Sequence, residues 1–265
     1  MSPTSAGAPV PPIGHGVFAP PPSSTSILPS TAPAAAPSAL PPTLITHGPR
    51  DRPWIALTFD ADMTPSMLAA LHAGRVRSWF DARIVAELRA THTPATVFLT
   101  GLWSETYPAV VRALAGDPLF ELENHSFDHA AWATPCYGLP AVSSVAAKRA
   151  EVTLAARVIT RLAGRRPAYF RFPGGCHTGA DLTLVRSLGE IPLGWDVVSG
   201  DAFQPDASVV VHDVLSRVRP GSIVVLHFIG APNAPATAAA LGRIIPVLRA
   251  RGYRFVTLAQ LLTAG

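Results

Sequence analysis

From Pro53 to the C-terminus strand-like and helix-like stretches alternate, and this alternation restricts the fold of the chain more than any other feature. Residues 54–60 set the pattern. Ile55, Leu57 and Phe59 point one way, while Trp54, Ala56, Thr58 and Asp60 point the other. Further strands are expected at 95–100, 120–123, 168–172, 191–198, 222–226 and 254–257. Helices are expected at 65–71, 79–90, 107–115, 142–162, 181–188 with Asp181 as its cap, 208–217 and 236–250 with a kink at Pro246, with a short one closing the chain. Seven strand–helix units imply an α/β fold, a parallel sheet covered on both faces. Units of this length can close into a barrel, whose chemistry gathers at the C-terminal strand ends.

Residues 1–48 obey different rules. They hold 12 of the 28 prolines and no Lys, Arg, Asp or Glu. Such a segment buries too little apolar surface to offset its ordering entropy, so a disordered Pro/Ala-rich linker is expected before a folded domain at 49–265. The net charge of +4 is diffuse and nearly all arginine, with Lys148 the only lysine. No basic stripe or aromatic–basic interleave supports a nucleic-acid partner. No run of about 18 apolar residues supports a transmembrane segment, and no export signal is visible.

The rim rule tests the ionisable residues. Asp60 and Asp62 end the first strand. His125 and His129 follow the third, Arg171 ends the fourth, Asp201 follows the fifth, and His227 ends the sixth. Two histidines four apart share one face of a helical turn, or of a loop folded like one, and can share a metal ion. By itself that spacing is equally that of two surface histidines, and a third ligand has to come from elsewhere. Asp60-Ala61-Asp62 reads either as a metal ligand beside a base or as an Asx turn that ends a strand. Arg171 can hold a carboxylate with a fork of hydrogen bonds, whereas Pro173-Gly174-Gly175 alone is an ordinary turn. His227 alone, after a buried strand, is most simply structural. All of these residues nevertheless fall on one rim.

The ordered set Thr58-Phe59-Asp60-Ala61-Asp62, His125-Ser126-Phe127-Asp128-His129, Arg171-Phe172-Pro173-Gly174-Gly175, Trp195 through Asp201, and Leu226-His227 resembles the five motifs of the NodB-like polysaccharide deacetylases, carbohydrate esterase family four. The resemblance spans residues 53–260. It implies a distorted (β/α)7 barrel of parallel strands with outer helices. It also implies a hydrolase that removes N-acetyl groups from an N-acetylglucosamine polysaccharide of peptidoglycan or chitin type, releasing acetate.

Carried over residue by residue, Asp60 matches the catalytic base and Arg171 its partner. His125 and His129 match the metal histidines, and zinc or another divalent transition metal is the implied cofactor. Gly174 stands at the oxyanion-hole N–H. Asp201 matches the residue that orients His227, the general acid. Leu226 matches a wall of the acetyl pocket, and Trp195 is placed with the substrate-binding residues.

Three positions depart from the family pattern. The usual adjacent aspartate is Ala61, so the metal carboxylate is assigned to Asp62. Gly174 replaces a frequent aromatic. Ala202 stands where a tryptophan usually follows the fourth-motif aspartate, with Phe203 next to it.

Cys136 and Cys176 follow two loops of the same rim, so a disulfide between them is expected. A disulfide favours an exported protein, extracellular or envelope-associated; the resemblance implies a polysaccharide partner, and a monomer is expected. Three rival readings are an O-acetyl esterase, a cyclic-amide hydrolase, and a carbohydrate-binding module that has lost its chemistry.

Overall fold

The structure, a computed structural model, describes residues 43–202 and 204–263. The strands are β1 (Trp54–Ala61), β2 (Ala95–Leu99), β3 (Phe120–Asn124), β4 (Tyr169–Phe170), β5 (Ile191–Pro192), β6 (Val197–Val198), β7 (Ile223–His227) and β8 (Arg254–Phe255). The helices are α1 (Pro65–His72), α2 (Ala82–Ala90), α3 (Gly101–Thr106), α4 (Pro108–Ala115), α5 (Val145–Ala163), α6 (Gly179–Ser187), α7 (Ala207–Arg217), α8 (Thr237–Ala250) and α9 (Leu258–Thr263). The strands are parallel in the order β5-β4-β3-β2-β1-β7-β6, with β8 beside the start of β1. This is a curled, distorted (β/α)7 barrel of parallel strands with helices outside.

Strand alternation divides the core into two. Ile55, Leu57, Phe59 and Ala61 of β1 join the large cluster between strands and helices. Ala56 packs inside the curl with Phe98, Tyr169, Leu193 and Ile223. Moving up the inner face of β1, Ala56 gives way to Thr58, then Asp60, with Asp62 just beyond the strand. The inward positions therefore change from apolar to ionisable toward the C-terminal rim.

Local signals explain most helix ends. Thr64 caps α1 through its side chain, with Pro65 following, and Gly164 ends α5 in the left-handed conformation at φ 74°. Three expectations need correction, and one helix was missed. Helix α2 starts at Ala82, because Asp81 caps it and the Trp79 indole is committed to the Met67 carbonyl. Helix α6 is capped by Thr178, with Asp181 three residues in as the second half of a capping box. Helix α3, started by the Thr100 cap, was hidden in a short stretch beginning with glycine. The expected strand 191–198 is two strands, β5 and β6, joined by a segment that bends past Gly194.

That bend sets the position of the domain boundary. Leu44 lies 3.0 Å from where a Cβ on Gly194 would stand. Ile45 bridges Leu193 and exchanges backbone hydrogen bonds with Pro192 and Gly194, and His47 bridges Ser222. Residues 44–48 thus fill the seam between the two halves of the split strand, and the folded domain starts before residue 49. The reason is local, since Leu44 and Ile45 are apolar and face a gap in the sheet. The remainder of the expected linker, residues 1–42, lies outside the described residues. Among the described residues no helix is long and apolar enough to cross a membrane.

Candidate active site

Two strand ends and two loops meet at the rim. In register, Asp60 of β1 stands beside His227 of β7. Asp62, one pleat further on, faces the loop that leaves β3. That loop begins with His125 and is not helical: Ser126 and His129 sit at φ 69° and 62°. With Tyr137 they make three of the four non-glycine residues with left-handed φ among the described residues, and such conformations persist where surrounding structure enforces them. Part of that enforcement is the Glu151 carboxylate, which accepts the N–H groups of Phe127 and Asp128 at 2.8 and 3.0 Å.

One ligand atom from each of Asp62, His125 and His129 lies within 4.8 Å of the others. Both histidine Nε2 atoms are 3.3 Å from Asp62 Oδ1. His125 Nδ1 donates to the Arg171 carbonyl at 2.9 Å, which leaves its Nε2 lone pair facing the cluster. Asp62 Oδ1 and His125 Nε2 are buried and have no hydrogen-bond partner among the described residues. Burial pushes the His129 imidazole down to about 4, so it is neutral at physiological pH. Burial works against the Asp62 carboxylate, but the surrounding imidazoles outweigh it and hold the group well below the usual carboxylate range. One anionic oxygen and two imidazole nitrogens, buried and converging, are the donor set of a divalent transition metal.

Charged pairs flank this cluster on both sides. Arg171, fully buried, donates to Asp60 Oδ1 at 2.7 Å and to Thr58 Oγ1 at 2.8 Å. Its guanidinium lies over the Phe98 ring at 4.0 Å. Burial pulls the Arg171 pKa down, against the attraction of Asp60. Opposite, His227 Nδ1 donates to Asp201 Oδ1 at 2.7 Å, and His227 Nε2 is 3.8 Å from Asp62 Oδ2. Asp201 also accepts from the His227 N–H, Ser199 and Thr237. Burial alone would lower the His227 pKa, but Asp201 and the other carboxylates raise it to about 10.

A cleft of about 270 Å³ opens over these groups, lined also by Gly174, Trp195, Val225 and Ile229. The expected Leu226 wall is not there. Leu226 follows the pleat onto the outer face of β7 and packs in the strand–helix core, and Val225 takes the inner position. Cys136 and Cys176 are joined by a disulfide. Phe203 lies outside the described residues. Glu151 and Thr237 were missed by the sequence reading, since each acts through hydrogen bonds to residues brought near only by the fold.

The sequence profile of the polysaccharide deacetylase family matches residues 47–190. A chitooligosaccharide deacetylase of Azorhizobium caulinodans is 28% identical over 213 residues, 75% of this chain and 90% of that one. The crystal structure of a peptidoglycan N-acetylglucosamine deacetylase, bound to 4-naphthalen-1-yl-N-oxidanyl-benzamide, superposes with a TM-score of 0.69 at 25% identity, over 83% of this chain and 92% of that one. A family 4 acetyl xylan esterase from Clostridium thermocellum, in complex with a cobalt ion, gives 0.64 at 27%, over 80% and 91%. The rim geometry and the profile match agree: the chain belongs to the polysaccharide deacetylase family.

Proposed function

We propose that this protein removes N-acetyl groups from an N-acetylglucosamine-containing polysaccharide of peptidoglycan or chitin type, with release of acetate. The observation that carries this reading is a base and an acid on opposite sides of one candidate metal cluster. Asp60 with Arg171 lies on one side and His227 with Asp201 on the other. Asp62, His125 and His129 would hold the metal, zinc being the first choice for one carboxylate and two imidazoles. When bound, it supplies a Lewis acid that acidifies water and polarises the acetyl carbonyl.

The chain's own groups then have distinct tasks. Asp60, held in place by the Arg171 hydrogen bond, accepts a proton from the attacking water. Gly174 borders the cleft and offers its backbone N–H to the developing oxyanion. The carbon–nitrogen bond breaks as His227 Nε2 delivers a proton to the departing amine. Asp201 holds the imidazole by Nδ1, which fixes the tautomer and leaves Nε2 toward the cleft. Trp195 and the apolar wall of Val225 and Ile229 exclude water from the acetyl group. The Cys136–Cys176 link fits an exported, envelope-associated protein.

Acetate release from N-acetylglucosamine oligomers, peptidoglycan and acetyl-xylan, with and without chelator, tests the reading. Chelator-sensitive release from the first two supports it. Release from acetyl-xylan alone would replace it with ester hydrolysis, the activity of the Clostridium relative. In His227→Ala the rate should fall by roughly 10²–10⁴ while zinc still binds. Full activity in that variant would remove the assigned acid.

A further inference from the structure

Tyr137 is the most exposed large hydrophobic side chain among the described residues, 79% accessible, yet it lines the cleft. Single exposed aromatics are common and need no explanation. Two features set this one apart. Its backbone is left-handed, with φ 48°, a costly conformation for a bulky residue. It also follows Cys136 directly, and Cys136 is bonded to Cys176 at the end of the glycine turn. The ring is therefore anchored to the rim and does not hang from a free loop.

The glycine turn is shaped to receive it. A Cβ on Gly174 would lie 2.7 Å from Cys136 Sγ and 3.1 Å from Tyr137 Cδ2, so a side chain at 174 would displace both. A Cβ on Gly175 would lie 2.8 Å from the Trp195 ring. Two consecutive glycines, at φ 60° and 71°, thus seat two aromatic rings that border the same cleft. Trp195 is half-buried and lies over the Arg171 guanidinium at 5.4 Å, close to the charged groups. Tyr137, far more exposed, marks the mouth.

From this arrangement we infer that Tyr137 is a sugar platform. It stacks on the apolar C–H face of a pyranose unit next to the one being deacetylated, and so selects chains over single sugars. An aromatic ring offers a large contact area at little conformational cost, and its hydroxyl stays wet at the mouth. The disulfide and Gly174 hold the ring in place before substrate arrives, which lowers the cost of ordering it. This inference rests on the deacetylase reading above.

The test uses Asp60→Asn protein, so that bound sugar is not turned over, and calorimetric titration with N-acetylglucosamine monomer and tetramer. Tyr137→Asn removes the ring while keeping a residue that tolerates left-handed backbone. Tyr137→Trp keeps a ring. The Tyr137 protein should bind tetramer more tightly than monomer. Tyr137→Asn should shrink that ratio by roughly five- to ten-fold, and Tyr137→Trp should restore it, with melting temperatures alike. An unchanged ratio in Tyr137→Asn, or no restoration by Tyr137→Trp, overturns the platform. If the native chain still releases acetate from the tetramer, only the platform falls. If it neither binds the tetramer nor releases acetate, the deacetylase reading falls with it.

Discussion

Strand β3 carries two buried polar clusters, and they are built on opposite principles. Beyond its C-terminal end, His125 meets His129 and Asp62, and atoms in that group lack partners from the chain. Along its inner face, Glu121 and Glu123 are equally buried but fully served. Glu121 accepts from Thr96 and the Ala259 N–H. Glu123 accepts the N–H groups of Ala168 and Tyr169, both at 2.7 Å, and from Arg165 at 3.2 Å. Burial, reinforced by Glu121, still pushes Glu123 up to about 7. A buried polar group without a partner is costly, so three such atoms in one cluster of side chains call for an explanation. The satisfied cluster ties strands together, whereas the unsatisfied one is a group that could hold a metal ion.

The largest effects belong to the unsatisfied cluster. Asp62→Ala should abolish zinc binding measured by calorimetry and lower the rate by roughly 10³-fold or more. Asp60→Asn should lower the rate by a similar factor yet keep the zinc isotherm, because Asp60 Oδ1 is committed to Arg171. Loss of zinc in Asp60→Asn would show that the metal carboxylate is Asp60. Glu123→Ala should do the reverse. It strands the buried Tyr169 N–H and frees the more exposed Ala168 N–H, and should cost roughly 1–3 kcal/mol of stability, read by denaturant unfolding. Zinc bound per folded molecule should stay the same. An emptied metal site in folded Glu123→Ala would collapse the distinction between the clusters.

The contrast also explains which parts of the molecule were legible in the sequence. Asp60, His125, Arg171 and His227 are readable because a parallel α/β chain delivers strand ends to one rim, and the strand pattern locates those ends. Asp62 followed from alternation once β1 was taken to run on past Asp60. Leu226 was misplaced although the same alternation decides it: the motif placed it beside His227, while the pleat turns it outward. Glu121 and Glu123 drew no attention, since their partners lie 25 to 138 positions away in sequence and exist only after folding. The split between β5 and β6 was invisible for a related reason. It depends on residues 44–48 passing Gly194, a contact no local pattern reports.

Those residues give a test of intermediate size. A chain beginning at Pro49 loses the half-buried Leu44 and Ile45 and the backbone bonds of Ile45 with Pro192 and Gly194. Against a chain beginning at Thr43 it should lose about 2 kcal/mol, or roughly 5 °C in melting temperature. Equal melting temperatures would show that the seam is held without the segment.

The smallest effect on the metal site comes from the residue that links the two clusters. Glu190 is fully buried, and its carboxylate accepts both from Asn124 Nδ2, at 2.9 and 3.2 Å. Asn124 in turn accepts the Ser126 N–H through its own side-chain oxygen, next to His125. Burial pushes Glu190 from 4.5 up to about 8, helped by the charge of Glu123 and opposed by the Asn124 hydrogen bond. The folded protein therefore holds a proton that the unfolded chain releases above 4.5. The stabilisation is complete below that pH and is lost as pH rises through about 8. Glu190→Gln copies the protonated form and removes this dependence. Its melting temperature should match the parent near pH 4.5 and exceed it by up to roughly 10 °C at pH 8 and above. The variant's curve should be flatter than the parent's without becoming level, since Glu123 titrates in the same range. Zinc affinity should be unchanged, because glutamine still accepts from Asn124 and keeps the loop in place. A pH-independent offset between the two proteins would mean that Glu190 is already ionised in the fold. A drop in zinc affinity would show that the satisfied cluster tunes the unsatisfied one.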